Sequence, residues 1–250
     1  MKRVILPVSN PDPISVRQTF ADIAHRYDLA NHFLSGGIDF LWRKRLVGLS
    51  RKGSCSDILD LATGSGDVAM ALRKNLPANA SITGIDFCAP MLEFARRKRD
   101  RLKEGAKTMR FLVGDCLKLA FREESFDLVT IAFGLRNLSD RKKGLSEMLR
   151  VLKPGGRLII LEFSQPFFWF RPIYYAYLKG ILPWMARLVT GDRKAYLYLG
   201  SSISNFPNRS DLAKELMEAG FERIFSIPMT FSIVAIHLGE KPTTHCQFAP

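Results

Sequence analysis

Apolar positions recur every three or four residues from Val16 through Leu29 and again from Phe33 to Leu49, with Gly36-Gly37 as a break. That spacing predicts a helical prelude over the first fifty residues. From Asp57 the texture changes to short apolar runs, each followed by a turn and a helical pattern. Ile58-Leu59-Asp60-Leu61-Ala62 reads as a strand, Thr63-Gly64-Ser65-Gly66-Asp67 as a tight turn, and the stretch to Leu76 as a helix. Further strands are predicted at Ser81–Ile85, Met109–Val113, Phe126–Ala132 and Leu158–Phe163. Helices are predicted from about Ala89 to Lys103 and from about Arg141 to Leu152, with Lys153-Pro154-Gly155-Gly156 as the turn into the fifth strand. A helix over Asp211–Ala219, stopped by Gly220, leads to two runs, Phe221–Ile227 and Phe231–Leu238, that read as a closing hairpin. The pattern predicts an α/β fold: an open, doubly wound, mostly parallel sheet of seven strands whose ligand crevice lies beyond the carboxyl ends of the first strands.

The 250 residues carry 47% apolar and 24% charged side chains, ordinary for a globular domain with a core to bury. The 37 Lys and Arg against 24 Asp and Glu give +13, which predicts attraction to something anionic without choosing among phosphates, lipid headgroups and acidic small molecules. Cys55, Cys88, Cys116 and Cys246 lie far apart, with no paired spacing and no neighbouring His, so they read as reduced cytosolic thiols and no metal is expected. Val4-Ile5-Leu6 is too short for a secretory signal, and the apolar stretch from Pro166 to Val189 is cut by Arg171, Pro172, Lys179, Pro183 and Arg187.

In the first turn, Gly64 and Gly66 stand where the backbone turns sharply and approaches a ligand, with the next helix's amino end facing it. Gly64-x-Gly66-x-x-Ala69 also fits a dinucleotide fingerprint, and Asp86 lies where that fold keeps its ribose-binding acid. Asp60 and Asp115 tilt the reading, because an acidic lining suits a cationic sulfonium nucleoside and repels a pyrophosphate. In S-adenosylmethionine, Asp60 would hold the ammonium, Asp86 the ribose hydroxyls and Asp115 the adenine amino group. The competing reading makes Asp60 or Asp115 a turn cap.

Leu59-Asp60-Leu61-Ala62-Thr63-Gly64-Ser65-Gly66-Asp67, Phe133-Gly134-Leu135-Arg136-Asn137, Leu161-Glu162-Phe163-Ser164 and Val151-Leu152-Lys153-Pro154-Gly155-Gly156 together resemble the ubiquinone/menaquinone biosynthesis C-methyltransferases of the UbiE/MenG type. The likeness runs from Phe20 to His237, and Phe-Gly-Leu-Arg-Asn with Arg26-Tyr27-Asp28 and Leu161-Glu162-Phe163-Ser164 is its most specific part. The resemblance implies a class I methyltransferase fold and transfer of a methyl group from S-adenosylmethionine to a ring carbon of a polyprenylated quinol. It places cofactor contacts at Ser65, Asp86, Asp115-Cys116 and Ala132. This chain departs from many relatives in Ser65 where they carry Thr, which keeps the loop hydroxyl, in Ala132 where some carry Ser, and in Asp115-Cys116 where many carry Asn-Ala.

On that basis the chain divides into a helical cap (1–52), a cofactor-binding half (53–165), a substrate- or membrane-facing insert (166–205), a closing helix and hairpin (206–240) and a tail (241–250). A quinol carbon becomes nucleophilic when a neighbouring phenol loses its proton, so Arg136 is the candidate for stabilising phenolate charge, a structural ion pair being its alternative. Tyr27 on the cap is the candidate proton relay, with Asp28 to orient it; His25 and His32 are weaker candidates. The insert from Phe167 to Trp184 carries eight aromatic residues and no acid, which suits peripheral contact with an anionic membrane at the inner face of the cell membrane. The alternative is burial of those rings against the domain or a second copy, as in a homodimer. The basic run from Arg96 to Lys103 lacks interleaved aromatics and reads as a solvated helix face, so no nucleic-acid partner is expected. The rivals are a nucleic-acid or other small-molecule methyltransferase, a nicotinamide oxidoreductase, and a non-catalytic module of the same fold.

Overall fold

The computed structural model describes residues 32, 35–53, 55–102, 105–181 and 193–243. Gly36 and Gly37, at φ of +60° and +78°, lead into α1 (Ile38–Ser50), so the predicted Gly-Gly break is the helix start. The earlier part of the predicted prelude lies outside the described residues. Next come β1 (Asp57–Leu61), α2 (Asp67–Asn75), β2 (Ser81–Asp86), α3 (Ala89–Asp100), β3 (Met109–Val113), β4 (Phe126–Ala132), a 3-10 turn at Leu135–Asn137, α4 (Arg141–Val151) and β5 (Leu152–Phe163). The insert contributes α5 (Arg171–Ala176), a π-helical turn at Tyr177–Ile181 and α6 (Arg193–Asn205); α7 (Arg209–Glu218), β6 (Glu222–Met229) and β7 (Val234–Glu240) close the chain.

The seven strands form one sheet in the order β3-β2-β1-β4-β5-β7-β6. β1 to β5 pair in parallel, and β7 is antiparallel to both β5 and β6. Strand order reverses between β1 and β4, and a crevice outside the carboxyl ends of the strands follows from that switch point. The first strands are apolar on both faces because helices cover both. Ile58, Leu128, Ile159 and Ile236 pack towards the α1–α2–α3 side, while Leu59, Val129, Ile131 and Ile160 pack towards the α4–α7 side.

Two sequence expectations are corrected. Lys153-Pro154-Gly155-Gly156 is not a turn preceding β5 but a bulge within it: pairing jumps from Phe126↔Leu152 to Leu128↔Arg157. Its backbone finds a partner just past the end of β7, since Gly155 N–H donates to Lys241 O at 2.9 Å and Lys241 N–H to Gly156 O at 2.8 Å. The closing helix starts two residues before the predicted Asp211, because the Asn208 side chain caps it by accepting from the N–H groups of Ser210 and Asp211.

Candidate functional site

The glycine loop leaves β1 through Ala62, whose φ of +47° already bends the chain. Gly64 and Gly66 follow at +56° and +82°, and a Cβ on Gly66 would stand 2.9 Å from the Ala95 Cβ, so glycine is needed there for both conformation and space. Three hydrogen bonds hold the loop: Thr63 N–H to Ile85 O at 2.9 Å, Gly66 N–H to Thr63 O at 2.9 Å, and Gly64 N–H to Asp86 Oδ2 at 2.8 Å. Asp86 Oδ1 accepts from Cys88 N–H at 2.8 Å. Burial pushes the Asp86 carboxyl above its ordinary range, and these N–H donors pull it back.

Asp60 and Thr130 are register partners on β1 and β4, which places their side chains on one face. The Thr130 hydroxyl donates to Asp60 Oδ1 at 2.7 Å and the Thr63 hydroxyl to Oδ2 at 2.6 Å. Burial is nevertheless the larger influence and pushes the Asp60 pKa up to about 6. Burial likewise pushes the Cys116 thiol up to about 12, which leaves it neutral.

A crevice of about 220 Å³ opens beside this loop, lined by Ala62, Gly64, Asp86, Phe87, Met91, Gly114, Asp115, Cys116, Ala132, Phe133 and Asn137 among others. Its described lining holds two carboxylates and no Lys, Arg or His. That donor set fits a cationic, hydroxyl-bearing nucleoside such as S-adenosylmethionine, whereas a pyrophosphate would meet like charges. Of the residues read from sequence as cofactor contacts, Gly64, Asp86, Asp115, Cys116 and Ala132 line the crevice, while Asp60, Ser65 and Gly66 are not in its lining. Ser65 is buried, and its hydroxyl lies 3.1 Å from Lys98 Nζ, which also pairs with Asp67 at 2.5 Å.

A second cavity, about 870 Å³ and mostly apolar, is walled by α1 (Ile38, Trp42), β5 (Phe163), the insert (Phe170, Ile173, Tyr174, Tyr177), α6 (Ile203) and the β6–β7 connection (Thr230, Ile233). Phe133 lines both this cavity and the crevice. Its φ of +56° is strained for an aromatic residue, and such strain persists where the surroundings demand it. The next residue is Gly134, where a Cβ would stand 2.4 Å from the Ala62 Cβ, so the two loops meet too closely for any side chain.

Arg136 enters the apolar cavity from the 3-10 turn. Its Nη1 donates to Glu162 Oε1 at 2.8 Å and to Phe133 O at 2.5 Å, and its backbone N–H donates to Glu162 Oε2 at 3.2 Å. The guanidinium lies 5.2 Å from the Phe163 ring centroid. Both side chains of the ion pair are almost fully buried, at 5% and 1% exposure. Arg136 Nε, also buried, has no hydrogen-bond partner among the described residues. A directed cationic donor left over in an apolar cavity is suited to an anionic oxygen. Of the two sequence readings of Arg136, the ion pair is present through Nη1, while Nε is left without a partner among the described residues.

Tyr27, with His25 and Asp28, lies outside the described residues. His32 is turned to other work, its Nδ1 2.6 Å from Asp39 Oδ2 and its ring stacked on Phe40. The sequence reading missed Glu162 as the partner of Arg136, and also Phe133, Trp42 and Tyr174 as walls of the cavity. A signal existed for Glu162, since it is the last acid before Asp192. Burial pushes the Tyr174 hydroxyl above its ordinary range, and nearby Arg136 draws it back.

A family model described as the ubiE/COQ5 methyltransferase family matches residues 9–241. A demethylmenaquinone methyltransferase of Thermus thermophilus is 44% identical over 224 residues, covering 89% of this chain and 100% of the relative. A Geotalea daltonii protein named ubiquinone/menaquinone biosynthesis C-methyltransferase UbiE is 40% identical over 227 residues, covering 90% of this chain and 96% of its own. Among solved structures, a SAM-dependent methyltransferase from Thermotoga maritima superposes with a TM-score of 0.63 at 18% identity, covering 90% of this chain and 99% of that one. At that identity the likeness is one of fold.

Proposed function

The chain belongs to the ubiE/COQ5 methyltransferase family, and from that premise we propose that it methylates a ring carbon of a polyprenylated quinol in menaquinone or ubiquinone biosynthesis. The fold is the Rossmann-like one of class I methyltransferases, and S-adenosylmethionine is the cofactor. The observation that carries the substrate reading is the junction at Phe133, where an acid-lined crevice adjoins a mostly apolar cavity of about 870 Å³ into which the buried Arg136 guanidinium reaches. Such a cavity takes a prenylated ring, and the Arg136 guanidinium gives it a polar anchor beside Phe133.

When bound, the cofactor supplies an electrophilic methyl group on a sulfonium centre. Asp86 keeps acceptor capacity for the ribose hydroxyls while it holds Gly64, and Asp115 offers a carboxylate at the adenine end, beside Cys116 and Ala132. Asp60, Ser65 and Gly66 support the loop from behind, with Asp60 setting a negative potential beneath it. Arg136 Nε–H donates to the oxygen of the quinol that has lost its proton, raising the population of the phenolate and the electron density on the adjacent carbon. Glu162 holds that guanidinium in place. Tyr27 is the proposed proton relay from the cap.

The insert brings Phe167, Phe168 and Trp169 to the surface, and Trp169 packs edge-on against Phe170 at 5.7 Å and Phe231 at 5.5 Å. Among the described residues no helix is long and apolar enough to cross a membrane. This ring cluster adjoins the wall of the apolar cavity, which supports peripheral contact with an anionic membrane at its cytoplasmic face, where a polyprenyl tail resides. A homodimer covering the same rings is the competing arrangement. The test is methyl transfer from labelled S-adenosylmethionine to a short-chain demethylmenaquinol and a short-chain methoxy-benzoquinol under reducing conditions, with total RNA as control. Label in either quinol supports the reading and names the ring, whereas label in RNA alone overturns it.

A further inference from the structure

The +13 charge is not spread evenly. A groove of about 580 Å³ runs between α1, α2 and α3, and six cationic side chains line it: Arg43, Lys44, Arg51, Lys74, Lys98 and Arg101. Its single carboxylate, Asp67, is already engaged on both oxygens, by Lys98 at 2.5 Å and Arg43 at 3.3 Å. Lys44, Arg51, Lys74 and Arg101 make no ion pair among the described residues, so the groove keeps a strong positive potential. Its floor is apolar, built by Val47, Met70 and Leu102. An ionised phosphate ester carried beside apolar surface matches that combination.

The groove's position names the source of the phosphate. Arg43 lines both the groove and the apolar cavity, so α1 carries the cations on one flank and walls the cavity on the other. On α1, Leu41 projects at 62% exposure, and the insert, which supplies another wall of the same cavity, exposes Phe168 at 82%. An exposed apolar side chain, one wall of the apolar cavity and one wall of the cationic groove thus share α1. We propose that the α1–α2–α3 groove seats the headgroup phosphate of an anionic phospholipid and so sets the cavity against the bilayer. This rests on the membrane reading above and adds to it a specific site.

The test is binding of the full chain to vesicles of phosphatidylcholine alone and of phosphatidylcholine with phosphatidylglycerol, for wild type and for Lys44→Gln/Lys74→Gln/Arg101→Gln. Each basic side chain near an anionic surface is worth about fivefold in partitioning, so the triple variant loses on the order of a hundredfold on phosphatidylglycerol vesicles. It keeps its binding to neutral vesicles, its melting temperature and its methyl transfer to a short-chain soluble quinol. Lys142→Gln/Lys143→Gln, outside the groove, leaves phosphatidylglycerol binding nearly unchanged, which separates a site from general charge. If the triple variant melts early, Lys44→Gln/Arg51→Gln takes its place. Undiminished phosphatidylglycerol binding by the groove variant overturns the site and leaves the membrane reading standing. No binding of wild type to either vesicle overturns the membrane reading itself. Calorimetric binding of inorganic phosphate, or retention of RNA, that the triple variant loses while its vesicle binding persists would overturn the lipid as occupant.

Discussion

Replacing Arg136 by Met removes the guanidinium and keeps most of the side-chain volume. It leaves the Glu162 carboxylate, 1% exposed, with only the backbone N–H groups of Arg136 at 3.2 Å and Phe163 at 2.9 Å among the described residues. Breaking a buried pair from one side costs about 3–5 kcal/mol, because an uncompensated charge remains. At ~2–4 °C per kcal/mol for a chain of this size, the melting temperature falls by roughly 6–20 °C. Arg136→Met/Glu162→Gln removes both charges and recovers most of that loss. Turnover behaves differently. If Nε–H serves the phenolate, both variants lose about 10²–10³ in kcat, the range for one preorganised donor at a developing charge. S-adenosylmethionine binding stays near wild type in both, since Arg136 lines the apolar cavity and not the crevice. The assays are thermal melting, calorimetric titration of the cofactor, and kcat with a short-chain quinol. Recovery of turnover together with stability in the double variant would reduce Arg136 to a structural ion pair and refute the reasoning. Loss of cofactor affinity in step with kcat would move its role to the crevice.

Asp86→Asn weakens cofactor binding by about 10-fold or more, the worth of a charge-assisted hydrogen bond, while Ser65→Ala changes it little because that hydroxyl is turned to Lys98; calorimetry on the two variants checks the contrast. Gly134→Ala drives a Cβ to within 2.4 Å of Ala62 and lowers both stability and activity, read by melting temperature and turnover; a wild-type-like protein would contradict the close approach of the two loops. Asp60 has a folded pKa raised from 3.8 to about 6, so its contribution to stability is fully present below about pH 4 and is lost as pH rises through 6. The span is about 3 kcal/mol. Urea unfolding of Asp60→Asn against wild type should show the variant gaining relative stability between those pH values; parallel curves would remove the buried-carboxylate argument.

What the amino-acid order by itself determined was local. A 3.6-residue period, short apolar runs and glycines at positions of positive φ are demands of the backbone on its own neighbours, so the strand–turn–helix at Asp57–Asn75, the alternating α/β order and the glycine loop were legible before any fold. So were the acids that end β2 and follow β3, because a strand's last residues face the crevice whatever their partners. What only the tertiary structure decided depends on register and on which helix faces which. Thr130 binds Asp60 because β4 lies beside β1 in a register that makes the two residues partners, although they are 70 positions apart. Arg136 meets Glu162 across 26 residues, and that pairing could not be read until the fold left one nitrogen paired and another without a partner among the described residues. The Lys-Pro-Gly-Gly run has the composition of a turn, yet it is a bulge because Lys241, just past β7, supplies the partner for its backbone. The basic run on α3 reads as a solvated face in isolation; it becomes one wall of a groove only when α1 and α2 bring their own cations opposite, since an electrostatic potential sums over whatever the fold places together.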